Sequence, residues 1–239
     1  METQINKAIC LRSADYGDND KILHLFSVES GRISVVARGV KKSDAKLKFC
    51  AQPFCFGEYE TVKKGDRYLV TGCKEIESFF NIGKNPDGYY CAACAAEFVS
   101  CSTQEGDANP ALFILLARCL NFLNQNPANP KTYLTKFLLD ALKEVGYGLD
   151  FSACNQCGRK TDRMYVDMSG GGVVCDACKN EFCQLLSPSV LNTFRQISDM
   201  DSDRLFVLKT EKYDGSILAV LALYVKNMIK KLNSIQFLY

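Results

Sequence analysis

Two hydrophobic rhythms divide the chain. Over the first eighty positions, apolar residues come in short alternating runs: "INKAICLR", then "KILHLFSV" and "RISVVARG" around the turn "ESGR", then "QPFCFGEYETV", then "RYLVTGCKEIE" after a Gly-Asp turn. Alternation over a few residues, punctuated by turn formers, is the pattern of half-buried strands. The apolar runs 22–28 and 33–37 predict a hairpin. A fourth strand follows over 52–62, with Phe54 and Phe56 alternating against Cys55 and Tyr59, and a fifth lies near 67–76. Five short strands with no long helix predict a small barrel over residues 1–80. The five-stranded OB barrel is the leading form and an SH3-like barrel the runner-up.

From residue 81 the period lengthens. Three stretches open on Asn-Pro, at Asn85-Pro86, Asn109-Pro110 and Asn129-Pro130. Asparagine is a good helix cap because its side chain accepts from a free N–H, and proline a good first helical residue because it has no N–H to leave unpaired. In the second stretch Leu112, Leu115, Leu116, Cys119, Leu120 and Leu123 recur at three and four; the third ends at Gly146 and Gly148. Helices resume after the segment 151–182, one from Ser187 and a long one over 214–233, where Asp214 is placed to cap and Lys230 and Lys231 suit the C-terminal dipole. The expected class is therefore α+β and multidomain. A five-stranded OB-fold barrel (1–80) precedes a helical domain in two parts (81–150 and 183–239), into which a four-cysteine module (151–182) is inserted.

Composition narrows the options. The chain has 239 residues, 47% hydrophobic and 23% charged, enough to bury a sizeable core. Net charge is +2; residues 1–80 carry 13 basic and 11 acidic side chains and the remainder 16 of each, so any basic patch is local. The first residues show no cationic segment leading into a long apolar run, and no stretch is long enough to span a bilayer, so a cytosolic location is expected. Thirteen cysteines, an odd number, then read as reduced thiols and metal ligands. The single histidine, His24, lies in an apolar run and reads as structural, which leaves little material for a histidine-based hydrolase.

The chemistry concentrates in "CNQCGRKTDRMYVDMSGGGVVCDAC". Cys154 and Cys157 form one Cys-x-x-Cys pair, and Cys175 and Cys178 another, with 17 residues between the pairs. This is the spacing of a structural zinc site, and "MYVD", a glycine turn and "VVC" between the pairs read as the hairpin of a zinc ribbon. Four thiolates fill a tetrahedron and leave no open position for substrate, so one structural Zn2+ is expected and no catalysis. Arg159, Lys160, Arg163 and Lys179 are placed to offset the negative charge of such a site.

A further pair, Cys91 and Cys94, falls on one face of a predicted helix among small residues and reads as core packing, as do Cys50, Cys55, Cys73, Cys119 and Cys183. The carboxylates Asp199, Asp201 and Asp203 are the only dense acidic cluster. They leave a metal-dependent nuclease as the alternative reading, although a solvated turn explains them more simply.

The densest charge run is "RISVVARGVKKSDAKLKF", with Arg32, Arg38, Lys41, Lys42, Lys46 and Lys48 against Asp44 alone. Phe49, Phe54, Phe56 and Tyr59 follow it. Cations that track phosphates beside rings that stack on bases are how many barrels hold single strands. On composition alone the signal is weak.

The motifs around that run carry a resemblance. Leu11-Arg12, Asp15-Tyr16-Gly17-Asp18-Asn19-Asp20, Gly31-Arg32-Ile33, Ala37-Arg38-Gly39 followed by basic residues, and Gln52-Pro53-Phe54 resemble the RecO family of bacterial recombination and DNA-repair proteins, with Asp18 where glutamate is common. The resemblance implies a non-enzymatic mediator with an N-terminal OB fold that binds single- and double-stranded DNA and anneals complementary strands. It also implies engagement of the C-terminal tail of single-stranded-DNA-binding protein and, with RecR, help in loading RecA; the setting would be the bacterial cytoplasm, associated with the nucleoid. Carried over residue by residue, it implies DNA contacts at Arg38, Lys41 and Lys42, then Lys46 and Lys48, and zinc ligands at Cys154, Cys157, Cys175 and Cys178.

Overall fold

A computed structural model describes residues 3–239. Five strands close into a barrel: β1 (Thr3–Tyr16), β2 (Asp20–Ser27), β3 (Gly31–Ala37), β4 (Phe56–Lys64) and β5 (Arg67–Glu77). Around the barrel they run β1-β2-β3-β5-β4, antiparallel except for a short parallel seam where Val35 and Val36 pair with Tyr68 and Leu69. This is the connectivity of an OB barrel. At fourteen residues, β1 is long enough to pair with β4 over its first half and with β2 along its second.

The alternation seen in sequence sorts the two faces. Ala8, Cys10, Leu23, Leu25, Val35, Ala37, Tyr59 and Val70 point inward and form the barrel core. Ile9, Leu11 and Phe26 point outward, yet they too are buried, because they join the core of the helical part. Phe26 and Phe56 both pack on Phe113, with ring centroids 5.9 and 5.6 Å apart. The barrel is thus apolar on part of its outside, where helices cover it.

Those helices are α1 (Pro86–Ser102), α2 (Pro110–Asn124), α3 (Pro130–Glu144), α4 (Pro188–Asp199) and α5 (Asp214–Met228). The Asn85 side chain caps α1 by accepting from the N–H groups of Asp87 and Gly88, Asn109 caps α2 through Leu112, and Ser187 caps α4 through Val190. Asn129 departs from this pattern: its amide donates to Thr210 Oγ1 at 2.7 Å and makes no cap bond. Between α3 and α4 lies a small sheet, β7-β6-β8, made of β6 (Met164–Asp167), β7 (Val173–Cys175) and β8 (Cys183–Leu185).

Three local expectations are corrected. Phe54 and Cys55 precede β4 rather than lie in it. Phe54 takes φ +71° and its N–H donates to Cys10 O at 2.7 Å, so the segment folds over one end of the barrel. The last helix stops at Met228, not 233: the chain turns back so that Leu232, Ile235 and Leu238 are buried, and Phe237 stacks on Tyr90 of α1 at 4.8 Å. Asp214 does not cap α5. It is the first helical residue, its side chain is buried, and burial raises its carboxyl above the ordinary range. No helix is long and apolar enough to cross a membrane among the described residues.

Candidate metal centre and nucleic-acid interface

The four cysteines of the inserted module converge. Their Sγ atoms all lie within 4.8 Å of one another, and Cys157 and Cys175 are 3.7 Å apart. Sulfurs held about 2.3 Å from a tetrahedral ion sit roughly 3.8 Å from each other, so the cluster has the dimensions of a metal seat.

Local structure explains the convergence. Gly158 (φ +70°) lets its N–H return to Cys154 O at 2.9 Å, and Cys178 N–H returns to Cys175 O at 3.1 Å, so each pair sits on a tight turn. Asn155 N–H bonds Val173 O at 2.8 Å, which brings the first turn against β7 and hence against the second.

The electrostatics are those of a cation site. Burial by itself raises the Cys154 thiol, but backbone N–H groups of Cys157, Cys175 and Gln156 outweigh it and hold the group at about 6. Cys178, bonded by the Cys157 and Cys175 sulfurs, is pushed up to about 12. Four sulfurs this close cannot all ionise unless a cation joins them. Of the predicted compensating cations, Lys179 bonds Asp176 at 2.7 Å and the Tyr165 hydroxyl at 3.2 Å, and Arg163 Nε bonds the same hydroxyl at 3.2 Å. Arg159 and Lys160 are exposed.

The module is clamped from both sides. From α4, Arg195 donates to Phe151 O and Thr161 O, both at 3.0 Å, and pairs with Asp162 at 2.9 Å, while Phe194 stacks on Phe151 at 4.6 Å. From α5, the Tyr224 hydroxyl accepts from Gly172 N–H at 3.1 Å and donates to Tyr147 O at 3.0 Å. The glycine turn is required here. Gly171 and Gly172 have φ +77° and +88°, and a Cβ on Gly172 would lie 2.2 Å from Asn155 Nδ2.

The other Cys-x-x-Cys pair has no such company. Cys91 and Cys94 are fully buried in the helical core, where burial raises both thiols well above their ordinary value. Cys10 and Cys55 in the barrel are pushed up to about 12 for the same reason. Asp199, Asp201 and Asp203 are exposed and do not converge; among the described residues, the four-cysteine cluster alone groups three or more potential ligands.

The basic loop leaves β3 at Arg38. Arg38, Lys41, Lys42, Lys46 and Lys48 are all exposed. The loop is pinned to the β1–β2 turn: Asp20 accepts from Gly39 N–H at 2.8 Å, Lys41 N–H bonds Asn19 O at 3.0 Å, and Lys41 Nζ pairs with Asp15 at 2.8 Å. The rings expected beside it are used elsewhere. Tyr59 is wholly buried with its hydroxyl on Cys50 O at 2.9 Å, Phe54 is buried, and Phe56 packs on Phe113. Exposed aromatics near this end are instead Tyr16, beside the β1–β2 turn, and Phe80 and Tyr89, which lie beyond the barrel in sequence.

Comparison with known proteins gives the lineage. Residues 1–79 match the family model described as recombination protein O N terminal, and residues 83–234 the one described as recombination protein O C terminal. The chain belongs to the RecO family. Proteins named "DNA repair protein RecO" match it over most of its length. That of Clostridium kluyveri is 27% identical over 235 residues, covering 97% of this chain and 91% of its own. That of Bacillus pumilus is 30% identical over 202 residues (84% and 78%), and that of Clostridium novyi 30% over 174 (72% and 68%).

The structure gives the RecO-like motifs jobs that sequence did not reveal. Gly31-Arg32-Ile33 is the joint between barrel and helices. The linker crosses Gly31 so closely that a Cβ would lie 2.1 Å from Asp107 O; Arg32 O accepts from Gly106 N–H at 3.0 Å, and its guanidinium donates to Ser100 O at 2.5 Å. Asp20 and Gly39, from two further RecO motifs, bond each other, as above. His24 sits on the outer face with Nδ1 3.3 Å from Ser34 Oγ; burial, then Arg12 and Arg32, lower its pKa.

Proposed function

We propose that this RecO-family DNA repair protein is a non-enzymatic recombination mediator. It binds single- and double-stranded DNA, anneals complementary strands and, with RecR, helps load RecA onto strands coated by single-stranded-DNA-binding protein, whose C-terminal tail it engages. The observation that carries this reading is an OB-type barrel whose exposed basic loop, with Arg38, Lys41, Lys42, Lys46 and Lys48, is held in fixed register by Asp20 and Asn19. Its mechanism is charge neutralisation: loop cations replace counterions on phosphates and draw strands together. Lys41 already pairs with Asp15 on the surface, but such pairs contribute only about 0–1 kcal/mol, so a phosphate can take over that partner.

In this reading the chain divides into the barrel (1–80), a helical domain (81–150 and 183–239) and a metal module (151–182). Cys154, Cys157, Cys175 and Cys178 hold one Zn2+, the choice that an all-sulfur tetrahedral set favours. Bound there, the ion supplies folding energy to a module with a very small core of its own; Arg195 and Tyr224 transmit that order to α4 and α5. The protein acts in the bacterial cytoplasm, at the nucleoid.

The test is affinity for single strands measured against salt for Arg38→Glu/Lys41→Glu/Lys42→Glu. With three cations no longer facing phosphates, the slope should flatten by about 2. A slope and affinity equal to the parent's remove the loop from the interface.

A further inference from the structure

A second set of cations lies away from the loop, in the cleft where the barrel meets the helices. Arg12 from β1, Arg32 from β3 and Lys230 from beyond α5 line it, and none makes an ion pair among the described residues. Arg32 spends one nitrogen on Ser100 O, which fixes the guanidinium at the seam and leaves the rest of its fork available.

Among the described residues the cleft has one carboxylate, Glu97, and it is fully engaged. Its two oxygens accept from the backbone and side chains of Asn233 and Ser234, four bonds of 2.8–3.1 Å. Those bonds hold its pKa low against burial, so it stays ionised but turned to its own chain.

The cleft adjoins the hollow under the basic loop. Lys21, Lys41 and Lys48 line a hollow with Asp15 and Gln52; the cleft takes up the next residues of the same two segments, Leu11 to Ser13 and Pro53-Phe54. Lys21 Nζ bonds Ser13 Oγ at 3.4 Å and bridges the two. The result is a row of positive groups that runs from the loop at the end of the barrel, past Lys21 and Ser13, and turns onto the outer face of β1 at Arg12 before it reaches the helical domain.

We propose that this row is a single phosphodiester track, and that Arg12, Arg32 and Lys230 carry a nucleic-acid strand off the barrel and across the interdomain cleft. The inference rests on the nucleic-acid reading above and extends it to residues outside the loop. Adjacency to the loop cations favours a polyanion of regular charge over a short acidic peptide, which would need only the cleft. Exposed Tyr89, edge-on to Phe54 at 5.6 Å, stands in the same cleft and offers a ring to an unstacked base.

The experiment uses the full chain and Arg12→Gln/Lys230→Gln, both at exposed positions, with oligothymidines of two lengths. One is about 6 nucleotides, within the reach of a single OB barrel, and the other is about 20. On the longer strand the double variant should flatten the salt slope by about 1.4, two phosphates at about 0.7 each, and leave the shorter strand's slope unchanged. Arg32 is left intact because it also holds the seam.

A slope equal to the parent's on both lengths overturns the track. So does a variant that keeps the parent's DNA slope and loses affinity for an acidic peptide, since that makes the cleft a peptide site. The loop triple variant, run alongside, separates the two failures. If it loses affinity while the cleft variant does not, the loop reading stands and the track falls; if neither changes, the nucleic-acid reading falls and the track with it.

Discussion

Cys91-Ala-Ala-Cys94 and Cys154-x-x-Cys157 share a spacing and nothing else. The first sits on α1, where residues three apart share a face, so both sulfurs enter an apolar core and burial keeps their protons on. The second sits on a turn closed by Gly158, with a second such turn brought against it, and amide N–H groups favour the thiolate. Spacing fixes how far apart two thiols are along the chain. The backbone between them decides whether they point at each other's ligand or at leucines.

The largest effect should separate the pairs completely. Removing metal with a chelator while thiols stay reduced, or Cys175→Ser, should release one Zn2+ per chain and strip hydrogen-exchange protection from residues 151–182 and from the facing turns of α4 and α5. Apparent zinc-binding energies of about 10–16 kcal/mol in small modules are enough to dominate local folding. Protection in the barrel should be unchanged. A freshly purified protein without metal breaks the comparison at once.

A smaller effect tests the clamp. Tyr224→Phe leaves Gly172 N–H and Tyr147 O without their partner and should cost about 1–3 kcal/mol in denaturant unfolding, with metal content unchanged. An unchanged midpoint would mean that the ribbon is attached to the helices through α4 alone.

The smallest effect concerns the buried pair and has a pH signature. Cys91→Ala and Cys94→Ala should each cost about 1 kcal/mol at neutral pH and leave the metal bound. Because folding raises both thiols above 9.0, they contribute stability fully below that value, and the contribution is lost as pH rises through it, when only the unfolded thiols ionise. The parent's denaturation midpoint should therefore fall above about pH 9, and the alanine variants should blunt the fall. The metal cluster should fail on the opposite side, since acid protonates its thiolates. Equal alkaline losses in parent and variants would mean that those thiols are not sealed.

Much of this is legible in the sequence, and the physical reason differs by region. The barrel strands and the Asn-Pro helix starts are readable because periodicity and caps are local. The convergence of the four cysteines is readable because two Cys-x-x-Cys turns at this separation have the spacing of a metal site. Phe56 looks like a stacking ring in sequence because alternation gives two faces and does not say that helices cover the outer one, whereas Tyr59 fills the barrel core and Phe54 is buried ahead of the strand. The end of α5 is overrun for a related reason: residues 229–233 have nothing against helix locally, and only the burial of Leu232, Ile235 and Leu238 draws the chain back. The roles of Gly31 and Arg32 depend on the end of α1 and the linker after it, far along the chain, which no local pattern encodes.

The apolar outer face of the barrel also sets an order of events during synthesis. Residues 1–79 contain every strand of the barrel and can close as soon as they leave the ribosome. Phe113, which covers Phe26 and Phe56, emerges only later. For that interval a finished barrel carries Ile9, Leu11, Phe26 and Phe56 bare to solvent, and chains at this stage will stick to one another or to a chaperone. A fragment ending near residue 80 should therefore aggregate even though its barrel is complete. Translation through α2 sets the time for which the nascent chain is at risk.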